Sequence, residues 1–238
     1  MKDRDEIYVL NRRVRLYQPA GGFRTSMDSV LLAAACPVRP YDRVLDLGCG
    51  VGGAGLCVMA RVADIHLTGV EIQADHAALA RENAALNGVQ DRAEFIAADI
   101  RDFKTDHRFD QVICNPPYLE VGTHTPSPDA ARAIANGHVE EGDIKDWVDV
   151  AFENLASGGA MTMIHRADQT DKIIRAMGKR FGAVEIIPLW PHAGEAAKRV
   201  IIRAIKDRRS PARIHAGIIL HTTDGAYTDT ANSVLRDM

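Results

Sequence analysis

The sequence predicts an α/β fold, a mostly parallel sheet with helices on both faces. Three observations point to it. Short apolar, β-branched runs alternate with helical stretches between residues 41 and 206, glycines crowd the junction between the first run and the helix after it, and acidic or amide residues stand where runs stop. In an open α/β sheet the carboxyl ends of the strands are where ligands bind, so those terminal residues are the candidate site.

The first 25 residues carry Arg12, Arg13, Arg15 and Arg24 among Val14, Leu16 and Tyr17, followed by Gly21-Gly22-Phe23. They read as a short strand or extended arm turning on two glycines, with a basic side suited either to phosphates or to plain solvation. With Ser26 or Asp28 as N-cap, Val30 to Ala35 form a helix that stops before Pro37. Residues 1–40 make this N-terminal arm and helix, 41–206 the core, and 207–238 a C-terminal appendage packed on it.

Within the core, Val44 and Leu45 open a buried strand that runs into Asp46-Leu47-Gly48-Cys49-Gly50-Val51-Gly52-Gly53-Ala54-Gly55, after which Leu56 to Ala63 read as a helix. Such glycines let a ligand lie against the main chain. The acid precedes them, which is awkward for a dinucleotide pyrophosphate and welcome for a cation. S-adenosylmethionine carries a sulfonium and an ammonium, and Asp46 can face either. The second strand, His66 to Val70, ends in Glu71, 25 residues beyond Asp46, where a carboxylate accepts ribose hydroxyls. A helix from Ala74 to Asn87 stops at Gly88. The third strand, Ala93 to Ala98, ends in Asp99-Ile100; Asp99 is placed to accept from an adenine amine, with Ile72 and Ile100 on either side of the ring.

The fourth strand, Asp110 to Cys114, stops at Asn115-Pro116-Pro117-Tyr118. Proline cannot donate to a ladder and pushes the residue before it towards extended geometry, so a rigid elbow follows. It suits alkylation of a planar conjugated amine: the Asn115 side-chain oxygen and the Pro116 carbonyl each accept an N–H, and Tyr118 stacks on the ring. No strong base is required, because the amine becomes acidic as it is alkylated. A long loop, Glu120 to about Gly142, carries Arg132, His138, Glu140 and Glu141. Asp143 caps a helix in which Trp147, Val150, Ala151 and Leu155 recur at helical spacing, with Trp147 a core residue.

Three more strands follow, Ala160 to Ile164, Val184 to Leu189 and Val200 to Ile205, with a helix Gln169 to Phe181 between the first two. Only Trp190 to Arg199 separates the last two, too short for a helical crossover, so the last strand runs antiparallel beside its predecessor. Lys198, Arg199, Arg203, Lys206, Arg208, Arg209 and Arg213 then form a basic cluster, a phosphate-contacting surface or a solubilising one. Ile218 to Leu220 and then Asp224-Gly225 read as a strand or turn, followed by a short helix near Asp229 to Leu235.

A net charge of −3 excludes a strongly basic nucleic-acid coat and leaves room for a local basic patch. The four cysteines, Cys36, Cys49, Cys57 and Cys114, show no metal-ligand spacing and read as reduced thiols, so no metal is expected. No signal peptide and no apolar run of about 18 residues is present, which argues against a membrane and for the cytoplasm.

These motifs together resemble class I S-adenosylmethionine-dependent methyltransferases, and more narrowly the bacterial tRNA adenine-N6 methyltransferases that act on valine tRNA beside the anticodon. The resemblance rests on Gly21 to Asp28, Asp46 to Gly50, Glu71, Asp99, Asn115 to Tyr118 and the tail Asp224-Gly225-Ala226-Tyr227. It implies a Rossmann-like sheet of seven strands with the last antiparallel. It also implies S-adenosylmethionine on Asp46, Gly48, Gly50, Glu71, Ile72, Asp99, Ile100 and Asn115, and the acceptor on Asn115, Pro116 and Tyr118. Arg12, Arg13, Arg24, Arg199 and Arg203 are the candidate RNA contacts. The loop Thr123 to Gly142 matches this family only loosely. A glutamine side chain of a release factor is an alternative acceptor for the same motif, though only about 40 residues precede Val44, too few for the helical domain of that family.

Overall fold

Strands buried on both faces of a parallel sheet need near-continuous apolar runs, and alternate residues of each run must serve opposite layers. The structure, a computed structural model, describes residues 4–20, 25–118 and 144–236, and in it that division is plain. Val44 packs with Ile113 into one layer, while Leu45, Leu47, Val112 and Cys114 pack into the other. The core strands are β3 (Arg43–Leu47), β4 (His66–Glu71), β5 (Ala93–Ala97), β6 (Phe109–Cys114), β7 (Leu155–Arg166), β8 (Phe181–Trp190) and β9 (Arg199–Lys206). Their order is β5-β4-β3-β6-β7-β9-β8. All are parallel except β9, which runs antiparallel to both neighbours and sits between them, so β8 lies outside it.

The sheet is wider than the seven expected strands. Two-residue strands β10 (Arg213–Ile214) and β11 (Ile218–Ile219) pair parallel with the outer side of β8, making nine. β11 falls where a strand or turn is expected at Ile218 to Leu220, whereas β10 is too short for alternation to show in a sequence. Before the core, β1 (Arg4–Val9) and β2 (Val14–Pro19) form an antiparallel hairpin. It reverses at Leu10-Asn11-Arg12, all with positive φ, ahead of the glycines expected to turn it. Gly21 to Arg24, the loop Glu120 to Gly142 and Asp143 lie outside the described residues.

The helices are α1 (Met27–Ala35), α2 (Gly53–Arg61), α3 (Ala74–Leu86), α4 (Ile144–Asn154), α5 (Thr170–Met177) and α6 (Asp229–Arg236). Ser26 caps α1, its hydroxyl accepting from the Asp28 N–H at 3.3 Å. Several limits differ from expectation: α1 begins at Met27 and not Val30, α2 ends at Arg61 and not Ala63, and Leu155 opens β7 instead of continuing α4. Helix α2 begins three residues earlier, because Gly55 lets it press on β4: a Cβ there would lie 2.7 Å from the Leu67 side chain. Helix α5 ends at Met177 and not at Phe181, since Gly178 stops it and Phe181 pairs with Lys206 in the sheet. α1, α2 and α3 cover one face; α4 and α5 cover the other.

The hairpin is joined to α3 by side-chain amides standing in for a strand. Asn83 donates to the Tyr17 carbonyl at 2.9 Å and accepts the Tyr17 N–H at 2.7 Å. One turn on, Asn87 does the same for Arg15, at 2.7 and 2.9 Å. Asn83 is fully buried and also donates to the Val51 carbonyl at 2.9 Å, tying hairpin, helix and Gly-rich loop at one point. Its removal strands buried polar groups, whose desolvation cost exceeds the value of the bonds themselves. Asn83→Ala is expected to cost about 2–4 kcal/mol in urea unfolding, and Asn87→Ala, which is half-buried, about half of that.

Candidate active site

The pairing register sets which residues meet at the carboxyl edge. Leu47 pairs with Val70 on one side and Cys114 on the other, so the Gly-rich loop emerges between Glu71 and Asn115. The chain after β3 moves outward through β4 and β5 and then returns to β6, which makes the β3/β6 crevice the topological switch point.

Left-handed backbone at Gly48, Gly50 and Gly52, with φ of 63, 56 and 85°, shapes the loop. A Cβ on Gly48 would lie 2.5 Å from the indole of Trp147, so the buried ring expected as core also seals the underside of the loop. Over Gly50 no described residue stands within 4 Å of where a Cβ would lie, leaving the main chain open on that side among the described residues. The Cys49 N–H reaches the Val70 carbonyl at 3.0 Å. Glu71 braces the rest: one oxygen accepts the Gly50 N–H and the other the Gln73 N–H, each at 2.9 Å. Asp46, 2% exposed, accepts the Gly55 N–H in the first turn of α2 at 3.0 Å. Burial pushes its carboxyl up to about 7, opposed by the Gly55 N–H and reinforced by the nearby charge of Glu71.

The expected adenine flank divides. Ile72 is 45% exposed beside the buried Glu71 and offers an apolar face, whereas Ile100 is buried in the lower core layer. Asp99 is drawn alongside by the Ala98 N–H bonding the Glu71 carbonyl. Its carboxylate is held below its ordinary range by Arg101, whose guanidinium lies 2.7 Å away.

On the other side of the loop Tyr118 is the centre of a network. Its hydroxyl stands 2.9 Å from Asp28 Oδ2 and 2.9 Å from Asn115 Oδ1. Arg199 Nε bonds the same Asp28 oxygen at 3.1 Å, and its guanidinium lies 4.6 Å over the Tyr118 ring. The edge of His165 meets that ring at 5.1 Å. Burial first, then the Asp28 carboxylate, raises the Tyr118 hydroxyl above its usual range. Burial also lowers His165 to about 4, and its Nδ1 accepts the Arg166 N–H, so the ring is neutral at pH 7.

Asp28 and His165 are functional candidates that sequence reasoning did not single out. Asp28 was an alternative helix cap; because Ser26 takes that role, the carboxylate is left for Tyr118 and Arg199. The only signal for His165 is a polar residue ending an apolar strand.

Of the five candidate RNA-contacting arginines, Arg199 alone is seen at this edge. Arg203 is committed to Glu185 at 2.6 Å and to the Ala35 carbonyl at 2.8 Å. Arg12 lies over Tyr8, Arg13 donates to Ala60 near the far end of α2, and Arg24 falls outside the described residues. The basic cluster is likewise split by β9: Lys198 and Arg199 stand at its start, beside the site, and Lys206 at the opposite edge, bonded to Phe152 and Leu155 carbonyls. All four cysteines are buried and free, and no metal-binding group occurs among the described residues, nor a helix long and apolar enough to cross a membrane.

The neutral, buried His165 has a stability signature. Its folded pKa of about 4 lies below its ordinary 6.5, so the stability it confers is complete above pH 6.5 and is lost as pH falls towards 4. Unfolding free energies from urea titrations at pH 7.5 and 4.5 are expected to differ by about 2–3 kcal/mol more in the native protein than in His165→Phe.

The profile of the family described as methyltransferase small domain matches residues 23–189. The chain is 31% identical over 209 residues to the tRNA1(Val) (adenine(37)-N6)-methyltransferase of Aeromonas hydrophila, covering 87% of this chain and 86% of that one. It is 24% identical to the protein of the same name from Vibrio campbellii, over 91% of this chain and 88% of the relative. Among solved structures, one titled a predicted O-methyltransferase from Agrobacterium tumefaciens superposes with a TM-score of 0.72 at 30% identity, covering 88% of this chain and 95% of that one. An S-adenosylmethionine-dependent O-methyltransferase from Thermotoga maritima shares the fold, with a TM-score of 0.58 at 18% identity over 79% of this chain and 68% of its own. The chain belongs to the methyltransferase small domain family and is an S-adenosylmethionine-dependent methyltransferase.

Proposed function

We propose that the chain methylates the N6 amine of an adenine in a tRNA, beside the anticodon and in the bacterial cytoplasm. The observation that carries this reading is the register that sets the Asn115 carboxamide on the strand next to the Gly-rich loop, with Tyr118 bonded to it at 2.9 Å. The names of the relatives support the acceptor.

The residues present fit the cofactor. The open main chain at Gly50, the exposed Ile72 and a carboxyl at Asp46 that burial holds near neutrality are features a cationic nucleoside would satisfy. S-adenosylmethionine, when bound, supplies an electrophilic methyl group. Glu71 would hold its ribose and Ile72 one face of its adenine, with Asp99 at the ring edge.

The rest is done by the chain's own side chains. Asn115 Oδ1 and the Pro116 carbonyl accept the two N–H groups of the incoming amine and turn its lone pair outward. In the free protein that Asn115 oxygen faces the phenol of Tyr118. A phenol has one proton to give, so when Asn115 turns to the substrate Asp28 retains it. Arg199 lies over the Tyr118 ring, and a base flipped out of the anticodon loop would stack on that ring. The neutral His165 is no base at pH 7, in keeping with an amine that acidifies as it is alkylated.

Labelled S-adenosylmethionine offered with total tRNA should yield N6-methyladenosine after nucleoside digestion. Label confined to protein would move the acceptor to a glutamine amide and sink the proposal. Asn115→Ala is expected to lower kcat at least a hundredfold, about 3 kcal/mol in the transition state, with S-adenosylhomocysteine affinity within threefold of native. Asp28→Asn, which weakens the grip on the phenol, should lower kcat roughly tenfold in the native background and have little effect once Tyr118→Phe has removed the phenol.

A further inference from the structure

Strand β8 delivers Trp190 to the same sheet edge as Asn115, because it runs parallel to β7 and β6. Its neighbour Leu189 pairs with Arg199, the residue that lies over Tyr118. Beyond Trp190 opens a cavity of about 500 Å3, with walls that include His192, Gly217, Ile219, Thr228 and Thr230. Nothing in the methyl-transfer chemistry uses it.

Its construction is that of a platform. The Trp190 indole N–H donates to the Ala216 carbonyl at 3.0 Å. A Cβ on Gly217 would lie 2.2 Å from the Pro188 carbonyl oxygen and 2.7 Å from the indole nitrogen, so the chain is packed against the ring's polar edge. Strand β11 fixes the same wall by pairing Ile218 with Leu189 and Ile219 with Trp190. Behind His192 stands His221, 5.8 Å away, itself stacked on Tyr227 at 5.0 Å. His192 Nδ1 is shut off from solvent and has no hydrogen-bond partner among the described residues. The nearest cation by chain position is Lys198: it is exposed, and its backbone N–H bonds the carbonyl of Leu189, the residue before Trp190.

An aromatic wall, the exposed hydroxyl of Thr230 and a cation on the neighbouring strand suit one ligand chemistry, an unpaired nucleobase with its phosphate. Resting on the tRNA reading above, we propose that this cavity is a second nucleotide subsite, which stacks an unpaired base of the same RNA loop on Trp190 while Lys198 meets its phosphate and the target adenine occupies the Tyr118 site. β9 is the one strand between β7, which ends at that site, and β8, so the two positions lie about two strand spacings, roughly 10 Å, apart. A flexible loop can span that distance with neighbouring nucleotides.

The test pairs binding with turnover. Of the two tryptophans, Trp147 is buried beneath Gly48, so the part of the RNA response that is absent in Trp190→Phe is the part that reports Trp190. Titration with a short adenylate oligoribonucleotide should quench that emission, and Thr230→Glu, an exposed substitution that sets a carboxylate in the wall, should abolish the quench. In tRNA methylation Trp190→Ala and Thr230→Glu should raise KM for tRNA roughly five- to hundredfold with kcat within twofold, and Trp190→Phe, which keeps a ring, should stay near native. Unchanged KM in both variants, or emission indifferent to RNA, overturns the subsite. So does emission that shifts with protein concentration alone, which assigns the cavity to a second copy of the chain. If no RNA is methylated the parent reading fails, and the quench and its loss in Thr230→Glu still decide the subsite.

Discussion

Two carboxylates at the ends of adjacent strands hold the Gly-rich loop, and the site has its shape because of them. Glu71 takes the Gly50 and Gln73 N–H groups, and Asp46 takes that of Gly55. These donors belong to a loop with left-handed turns and to the start of a helix, places where backbone N–H groups have no ladder to join. Fixing them with charge makes the loop a rigid rim whose open side is Gly50. Asn83 grips the same loop from behind through Val51, so the hairpin contributes to the rim although it touches none of it directly. The arrangement is costly at Asp46, where burial without a counter-ion raises the carboxyl towards neutrality. A cation arriving at the rim reverses that cost, and ligand affinity and loop electrostatics are thereby coupled.

The acceptor side is governed by a different economy, the single proton of a phenol shared between two acceptors. Asp28 is the stronger of the two because it is charged, and it is itself anchored by Arg199. Asn115 is therefore the partner that can be released. In the proposed mechanism the network keeps the carboxamide and the ring in place before substrate arrives and would free one of them when it does. A neutral His165 against the ring edge maintains the low polarity in which these bonds are strongest.

Much of the core was legible because parallel strands buried on both faces leave an unmistakable pattern, and glycine and proline mark their limits. Val44 to Leu47 and Asp110 to Cys114 are cases where the ends are right within a residue or two. The hairpin was read as an arm because its reversal uses Leu10, Asn11 and Arg12, of which only asparagine is an ordinary left-handed residue. Strands β10 and β11 exist only by virtue of the β8 edge they attach to. At the site, the residues carried by loops immediately after strands were readable from the chain, whereas Asp28, His165 and the position of Arg199 follow from register. Cys114 pairs with Met163, two residues before His165, and Arg166 pairs with Arg199. No local signal encodes those pairings.

Register also reinterprets the charge. A run of basic residues from Lys198 to Arg213 looks like one surface in the sequence, yet an extended strand carries its ends to opposite edges of the sheet. Eight residues at about 3.4 Å each separate Arg199 from Lys206 by more than 20 Å. Arg203, midway, is spent on Glu185 within the sheet. Among the described members of that run, Arg199 reaches the site, over Tyr118, and Lys198 precedes it in the chain. In a protein with a net charge of −3, so small a cationic patch does little to attract a polyanion from a distance. Its recognition of nucleic acid must then lean on stacking and shape at that edge, a mode that favours bases already splayed from a loop over those held in a duplex.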